Sequence, residues 1–122
     1  MATNEVFKDA DQMSVACTAP ATPASGDPVL WGQRPGVALT DEAADGNAAG
    51  YTSVKFSGCY EFSVKGEQAA GNVAVAAGDI LYYEAGQTPV LNKDATNGVR
   101  FGYAGAAVTS GATATIPVVI GY

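Results

Sequence analysis

The chain has 122 residues, a net charge of −6 and no histidine, and 48% of its residues are hydrophobic while 15% are charged. This length corresponds to one domain, and the composition is too apolar for a disordered chain. The acidic surface repels nucleic-acid phosphates, and the lack of histidine removes the usual general base and the commonest metal ligand.

No segment approaches the roughly 20 consecutive apolar residues that a transmembrane helix needs. Residues 1–5 contain neither a positively charged stretch nor an apolar stretch, so we predict no signal peptide. Cys17 and Cys59 form no CxxC motif, which argues against thioredoxin-like chemistry and a structural zinc site. We predict two reduced, half-buried cysteines, and a Cys17–Cys59 disulfide is the alternative if their strands become neighbours.

The N-terminal residues 1–11 are polar apart from Val6 and Phe7, and we interpret them as an arm preceding a β domain over residues 12–122. A period of two dominates that domain, which indicates β-strands. The first predicted strands are short and separated by turns or by a Pro/Ala/Thr-rich linker, and they cover residues 13–17, 29–31 and 37–39.

The clearest alternation of apolar and polar residues runs from Thr52 to Lys65, and we predict one long amphipathic strand there. Gly58 lies at its centre. A glycine inside a strand indicates a bend or a bulge, so we expect the strand to change direction at this residue.

The second half of the chain continues the strand pattern. Residues 67–77 contain good helix formers interrupted by Gly71, and they allow one short helical turn. Three further strands are predicted at residues 80–83, 90–91 and 99–103. Residues 92–98 read as the hairpin connection between the last two. In the final strand, residues 113–122, Pro117 cannot donate a ladder hydrogen bond, which favours an edge position.

Two segments, residues 26–31 and 78–83, resemble each other, because in both a Gly-Asp turn opens an apolar strand. This echo indicates either a structural repeat or only common turn chemistry. Taken together, the patterns predict an all-β fold: a small single-domain β-barrel or sandwich with hairpins, an extended N-terminal arm and at most one short helical turn.

A search for catalytic motifs finds none: the chain has no GxxxxGK[ST] phosphate loop and no GxSxG elbow. Residues 41–47 match only part of a calcium loop, because Ala43 and Thr52 stand where ligands are required, and we interpret them as a solvated acidic loop. Glu61 and Glu84 are the residue type of a glycosidase pair, but nothing in the sequence brings them together. We predict no catalytic, cofactor-binding or metal-binding residues.

Aromatic residues are the remaining candidates for a functional surface. Most alternate with polar neighbours and are expected in the core, whereas Trp31 and one of Tyr82 and Tyr83 are expected to be exposed, since adjacent strand residues point to opposite faces. An exposed aromatic residue on a β domain is typical either of a protein interface or of a sugar-binding platform, and the sequence leaves both open.

Several short motifs, taken in order, resemble one protein family. They are SGDPVL (25–30), GVALTD (36–41), GCYEF (58–62), AGDILYY (77–83) and the closing strand over residues 111–120. In this order and spacing the chain resembles, over nearly its whole length after residue 3, the small phage proteins described as capsid cement or decoration proteins. It departs from that pattern at Cys17, Cys59 and Arg34-Pro35. Some of these proteins carry the label of a RecA-like recombinase, and the missing phosphate loop argues against that activity here.

The resemblance implies a non-enzymatic protein that binds the exterior of the mature phage head and stabilises it. It implies two kinds of partner: the major capsid protein, and two further copies of the chain in a homotrimer. It implies no cofactor, nucleic acid, membrane or small-molecule substrate. The expected location is the outer surface of the virion capsid, after synthesis in the host cytoplasm. The alternative function is a carbohydrate- or host-surface-binding β module of the virion.

Two groups of residues are the candidate contacts. The arm residues that we expect to order on the capsid, with Phe7 as anchor, are Thr3, Asn4, Glu5, Val6 and Phe7. The alternative is that Val6 and Phe7 cover the domain's own sheet. The residues that we expect at the interface between copies are Trp31 and Tyr83, for which core packing is the alternative.

Overall fold

The computed structural model describes residues 3–7 and 9–121. Within these ranges it contains β-strands and no helix, so the all-β prediction is confirmed, and no helix there has the length and apolar character of a membrane span. The strands are β1 (Gln12–Val15), β2 (Pro28–Trp31), β3 (Arg34–Ala38), β4 (Thr52–Lys55), β5 (Cys59–Lys65), β6 (Glu67–Gln68), β7 (Gly71–Asn72), β8 (Ile80–Tyr83), β9 (Leu91–Asn92), β10 (Val99–Ala104) and β11 (Thr113–Ile120).

The first four strands form an antiparallel sheet in the order β1-β4-β3-β2. A two-residue turn joins β2 to β3 and pairs Trp31 with Arg34. Gly36 in β3 has no room for a side chain, because a Cβ there would lie 2.5 Å from the Val54 side chain and 2.8 Å from the Lys55 carbonyl oxygen. One buried apolar cluster of this sheet consists of Val15, Val29, Ala38 and Val54, together with Phe56 just after β4.

Five later strands close a barrel in the order β10-β11-β5-β9-β8. Its neighbours are antiparallel except β5 and β9, which pair in parallel at Val64 and Leu91. Phe101 is fully buried in the barrel, with its ring edge-on to Phe62 at a centroid distance of 5.7 Å. The apolar cluster of the barrel also includes Leu30 and Val37 from the first sheet, so the two sheets pack on one another.

The turns that precede β2 and β8 have the same geometry. Gly26 and Gly78 have positive φ angles of 89° and 90°. The carboxylates of Asp27 and Asp79 each accept a hydrogen bond from the backbone N–H three residues earlier, at 2.9 and 2.8 Å. The N–H groups of the two glycines donate to the last carbonyl of β3 and of β10, at 2.8 and 2.7 Å.

This similarity extends to the whole sheets. The order β1-β4-β3-β2 corresponds to β5-β11-β10-β8. Gly36 in β3 pairs with Val29, and Gly102 in β10 pairs with Leu81. Val29 and Leu81 each lie two residues after the aspartate of their turn. Both glycines also lie against the next strand too closely for a Cβ. The Gly-Asp echo is therefore a structural repeat, because common turn chemistry alone does not reproduce strand order and register.

The strand predicted from Thr52 to Lys65 is divided into β4 and β5, which belong to different sheets. Gly58 lies between them with a φ of 106°, and its carbonyl accepts a hydrogen bond from the Ile120 N–H at 2.9 Å. The predicted bend is thus confirmed, but the prediction of one strand is wrong. Apolar alternation continues through the bend, so the period of two does not reveal that the strand changes sheets.

The predicted hairpin over residues 92–98 is also wrong. Strands β9 and β10 do not pair with each other; both pair with β8, one on each side. The loop between them folds on the buried Asp94, whose carboxylate accepts the N–H groups of Thr96 and Asn97 at 3.0 Å. These hydrogen bonds give the N–H groups of the loop local acceptors, so the loop forms without a direct β9–β10 ladder.

Pro117 does not mark an edge strand, because β11 lies between β10 and β5. The ladder to β10 ends at the Ala104–Val118 pair, and the Pro117 carbonyl accepts the Gly105 N–H at 2.7 Å. The missing N–H of Pro117 therefore falls beyond the end of this ladder and removes no bond from it. The inward face of this strand is as predicted, with Ile116, Val118 and Ile120 buried; Tyr122 of the predicted strand lies outside the described residues.

Two smaller expectations have mixed outcomes. Where a helical turn was allowed, strands β6 and β7 form a hairpin that pairs Glu67 with Asn72, and Gly71 in it has a φ of 127° that a helix excludes.

Cys17 and Cys59 are both free thiols, so the disulfide alternative is wrong. Cys17 is half-buried, and this burial raises the pKa of its thiol, whereas Cys59 is exposed.

Acid should destabilise the fold partly through Asp79. The Ala76 N–H and the Lys93 ammonium, the latter 2.9 Å away, hold the pKa of Asp79 below its ordinary value of 3.8. Because the folded state favours the carboxylate, this stabilisation is complete above the ordinary pKa and is lost as the pH falls through the lowered one. We expect Asp79→Asn to lower the melting temperature at pH 7 and to change it little at pH 2, in thermal melts at both values.

The control for this experiment is Asp45→Asn, in the exposed loop between β3 and β4, which should leave both melting temperatures unchanged. An equal loss of melting temperature at both pH values in Asp79→Asn would contradict the electrostatic contribution and leave only the lost turn geometry.

Candidate functional site

The arm residues Thr3–Phe7 are exposed throughout. The exposed fraction is 83% for Val6 and 64% for Phe7, so the alternative that these two side chains cover the domain's own sheet is wrong. An unburied Val-Phe pair at the end of a chain is a candidate anchor for a partner surface. Met1, Ala2 and Lys8 of the predicted arm lie outside the described residues.

The base of the arm is fixed to the first sheet at Asp11. Its carboxylate lies 2.6 Å from the Lys55 ammonium and accepts the Ser57 hydroxyl at 2.9 Å. These two groups hold the pKa of Asp11 below its ordinary value. The Asp11 carbonyl also accepts the Phe56 N–H at 2.8 Å. The chain is thus bonded to the first sheet from Asp11 onward, and the exposed arm precedes this residue.

Near this base, aromatic and cationic side chains cluster at the end of the β2–β3 hairpin. Trp31 is 41% exposed, as predicted, and its ring lies 5.8 Å from that of the buried Phe56. The Arg34 guanidinium stacks on Phe56 at 4.1 Å from the ring centroid, a cation–π contact. The cluster therefore offers an apolar surface with a positive charge at its side.

A cavity of about 360 Å³ opens beside this cluster. We call it the hairpin-end cavity, and it is lined by Gln33, Arg34, Pro35, Phe56 and Gly121. Gly121 follows β11, so the barrel supplies one wall and the first sheet supplies the rest. Its volume lies at the lower end of the roughly 300–1,000 Å³ typical of ligand pockets. Phe56 lines this cavity and its N–H is bonded to the Asp11 carbonyl, so the base of the arm lies near the cavity.

The charge at this cavity differs from that of the rest of the surface. Lys55, Lys65 and Lys93 each pair with a carboxylate. Within residues 3–7 and 9–121, no carboxylate lies within 4.0 Å of the exposed Arg34 guanidinium. In a chain with a net charge of −6, this places an available cation next to an apolar cavity.

Tyr83, the other predicted interface residue, belongs to the core. It is only 4% exposed, its ring lies 6.3 Å from that of Phe101, and burial raises its pKa. A neighbouring copy has almost no surface of Tyr83 to contact, so the prediction is wrong for this residue. Of the two adjacent tyrosines it is Tyr82 that faces outward, and it is half-buried.

The acidic residues considered from sequence do not form a metal site. Asp41 accepts the Ser25 N–H at 2.8 Å and Glu42 accepts the Gly50 N–H, so both hold the loop itself. The part of the chain that the structure describes contains no group of three or more residues suited to hold a metal ion. Glu61 is exposed on the outer face of β5, whereas Glu84 follows β8 and accepts the Asn92 side-chain amide at 3.0 Å.

Sequence reasoning found the arm and Trp31 but missed the hairpin-end cavity. One signal was available: the two residues Gly32-Gln33 between strands predict a tight hairpin, which would have placed Trp31 opposite Arg34. The contributions of Phe56 and Gly121 had no such signal, since these residues follow β4 and β11 and are distant from the hairpin in the chain.

Comparisons with known proteins identify one family. A family model described as phage cement protein matches residues 7–120, nearly the whole chain. No curated protein and no solved structure gives a match.

Proposed function

Since the chain belongs to the phage cement protein family, we propose that it binds the exterior of the mature phage head as a homotrimer and stabilises the shell without catalysing a reaction. The observation that carries this proposal is the family match over residues 7–120. The proposed partner is the major capsid protein, and the proposed location is the outer surface of the capsid.

The exposed arm supports a contact with the capsid. We propose that Thr3, Asn4, Glu5, Val6 and Phe7 order on the shell by adding a strand to the edge of a capsid sheet. Val6 and Phe7 have apolar surface to bury there, because both are largely exposed in the isolated protein. Asp11 is bonded to Lys55 and Ser57, so an arm bound to the capsid would also hold the β domain on the capsid surface.

Stabilisation of the shell follows from selective binding. A protein that binds the expanded capsid lattice and not the unexpanded one lowers the free energy of the expanded lattice by mass action. A trimer presents three arms, so modest individual contacts combine through a high effective concentration. We propose Trp31 as a contact between copies, because it is an exposed aromatic residue on a rigid hairpin.

Co-sedimentation with capsids tests the proposal. We expect the purified protein to pellet with expanded, undecorated capsids and to remain in the supernatant with unexpanded ones. The decorated capsids should also resist heat or chelator treatment that opens undecorated ones. Equal binding to both forms, or binding to neither, would contradict selective stabilisation of the mature head.

Trp31 also supports a second candidate function, a carbohydrate- or host-surface-binding module. The residue is 41% exposed, and an exposed aromatic ring offers an apolar face to a sugar, although this ring also lies beside Phe56. A glycan array with the wild type and Trp31→Ala decides the matter: binding that the substitution removes supports this function, and no binding by the wild type rejects it.

A further inference from the structure

We propose that the hairpin-end cavity receives the N-terminal arm of a second copy of this chain, with Phe7 in the cavity and Glu5 paired with Arg34. This contact assembles the free protein and does not depend on the capsid.

The apolar chemistry of arm and cavity matches. Phe7 is 64% exposed in the isolated copy, and burial of a phenylalanine removes roughly 150–250 Å² of surface from water. The cavity of about 360 Å³ has Pro35 and the Phe56 ring in its lining. Aromatic pairs attract each other beyond the effect of the buried area, so Phe56 favours an incoming phenylalanine over an aliphatic side chain.

The charges match as well, and their spacing agrees with the chain geometry. Glu5 and Phe7 are two residues apart, so in an extended segment their side chains point to the same side. Arg34 lies 4.1 Å from the centre of the Phe56 ring, and no carboxylate among the described residues lies within 4.0 Å of its guanidinium, although Asp11 is attracted to it from farther away. A Phe7 ring placed against Phe56 therefore brings the Glu5 carboxylate toward a guanidinium that is available to bind it.

The placement of the arm favours a neighbouring copy over the same copy. The Asp11 carbonyl extends the β1–β4 ladder by one bond beyond the strand end, to Phe56, and the arm precedes this bond. Phe7 is 64% exposed, and none of the residues that line the cavity belongs to the arm. The arm of a copy therefore does not fill the cavity of that copy, and both remain available to a neighbour.

Each copy contributes one arm and one cavity, so a closed assembly uses every arm and every cavity. A ring of three, the homotrimer proposed above, is one such assembly. The same arm residues are proposed to contact the capsid. Binding to the shell would then replace the contact between copies, and the two interactions compete for Phe7.

A complementation experiment without capsids tests the exchange. One variant lacks residues 1–8 and keeps the cavity, and the other carries Arg34→Glu and keeps the arm. We expect wild type to assemble, and each variant to sediment mainly as a monomer in analytical ultracentrifugation. An equimolar mixture should give a one-to-one complex, because the arm of the Arg34→Glu chain enters the intact cavity of the shortened chain.

The paired charge reversal Glu5→Arg with Arg34→Glu adds a test of the contact itself. We expect each single reversal to weaken assembly roughly tenfold, and the double reversal to recover most of that loss. Glu61→Arg, on the exposed outer face of β5, is the control and should assemble like wild type. Melting temperatures of all variants show that each is folded.

Three sedimentation results would overturn the exchange: a monomeric wild type, assembly that survives removal of residues 1–8, or a mixture that forms no complex. Fluorine NMR of a labelled Phe7 separates arm exchange from insertion into the same chain. Protection of Phe7 in the monomeric fraction would show insertion into the same copy and reject the proposal. Because no capsid is present, these outcomes are independent of whether the protein binds the phage head.

Discussion

Removal of residues 1–8 should abolish co-sedimentation with expanded capsids and leave the melting temperature of the isolated monomer within about 1 °C. The arm contributes little to the folded domain, because Val6 and Phe7 are 83% and 64% exposed, and exposed substitutions usually change stability by less than about 0.5 kcal/mol. The proposed capsid contact, in contrast, loses all its anchoring side chains in each of three subunits, and avidity multiplies the loss. Capsid pelleting and thermal melts measure the two effects separately.

The matched control keeps the length of the arm and removes only its apolar surface. Val6→Ser combined with Phe7→Ser should reproduce most of the loss of capsid binding if these side chains are the anchor. Full binding by this variant would assign the contact to the backbone of the arm or to another surface. A large fall in melting temperature after deletion, measured at a protein concentration at which wild type is monomeric, would instead show that the arm stabilises its own domain.

Substitution of Gly102 by alanine should be the most damaging single-methyl change in the barrel. A Cβ at Gly102 would lie 2.0 Å from the Val119 carbonyl oxygen, so β10 and β11 must separate to accommodate it. Both strands belong to the closed barrel, and neither can move alone without breaking its other ladder. We expect a loss of roughly 4 kcal/mol or more in the free energy of unfolding, measured by urea denaturation.

The control for backbone effects is Gly86→Ala. Gly86 has a φ of 89° and no atom within 4 Å of an added Cβ, so its substitution should cost only the conformational strain, about 1–2 kcal/mol. A loss at Gly102 no greater than that at Gly86 would contradict the close approach of β10 and β11. Gly36→Ala tests the repeat: it should also exceed the control, because its Cβ would lie 2.5 Å from Val54.

Much of the architecture was accessible from the sequence, because strands and turns are signalled by neighbours in the chain. The alternation of Ile116, Val118 and Ile120 predicted the buried face of the last strand, and the structure confirms it. The Gly-Asp turns before residues 28 and 80 indicated the structural repeat. The exposed arm followed from its polar composition, and the family resemblance followed from the order of short motifs; the family match confirms that resemblance.

What the tertiary structure decided were the relations between segments distant in the chain. A period of two places Tyr82 and Tyr83 on opposite faces of the strand. Which of the two faces is buried depends on the packing of the barrel, and it is the Tyr83 side chain that lies in the barrel core. Gly58 bends the chain, yet only the pairing of β5 with β11 shows that the chain changes sheets at that residue. The hairpin-end cavity likewise combines Arg34, Phe56 and Gly121 from three separate segments. Local propensity and turn chemistry act over a few residues, whereas strand partners and cavity walls are selected by the packing of the whole chain.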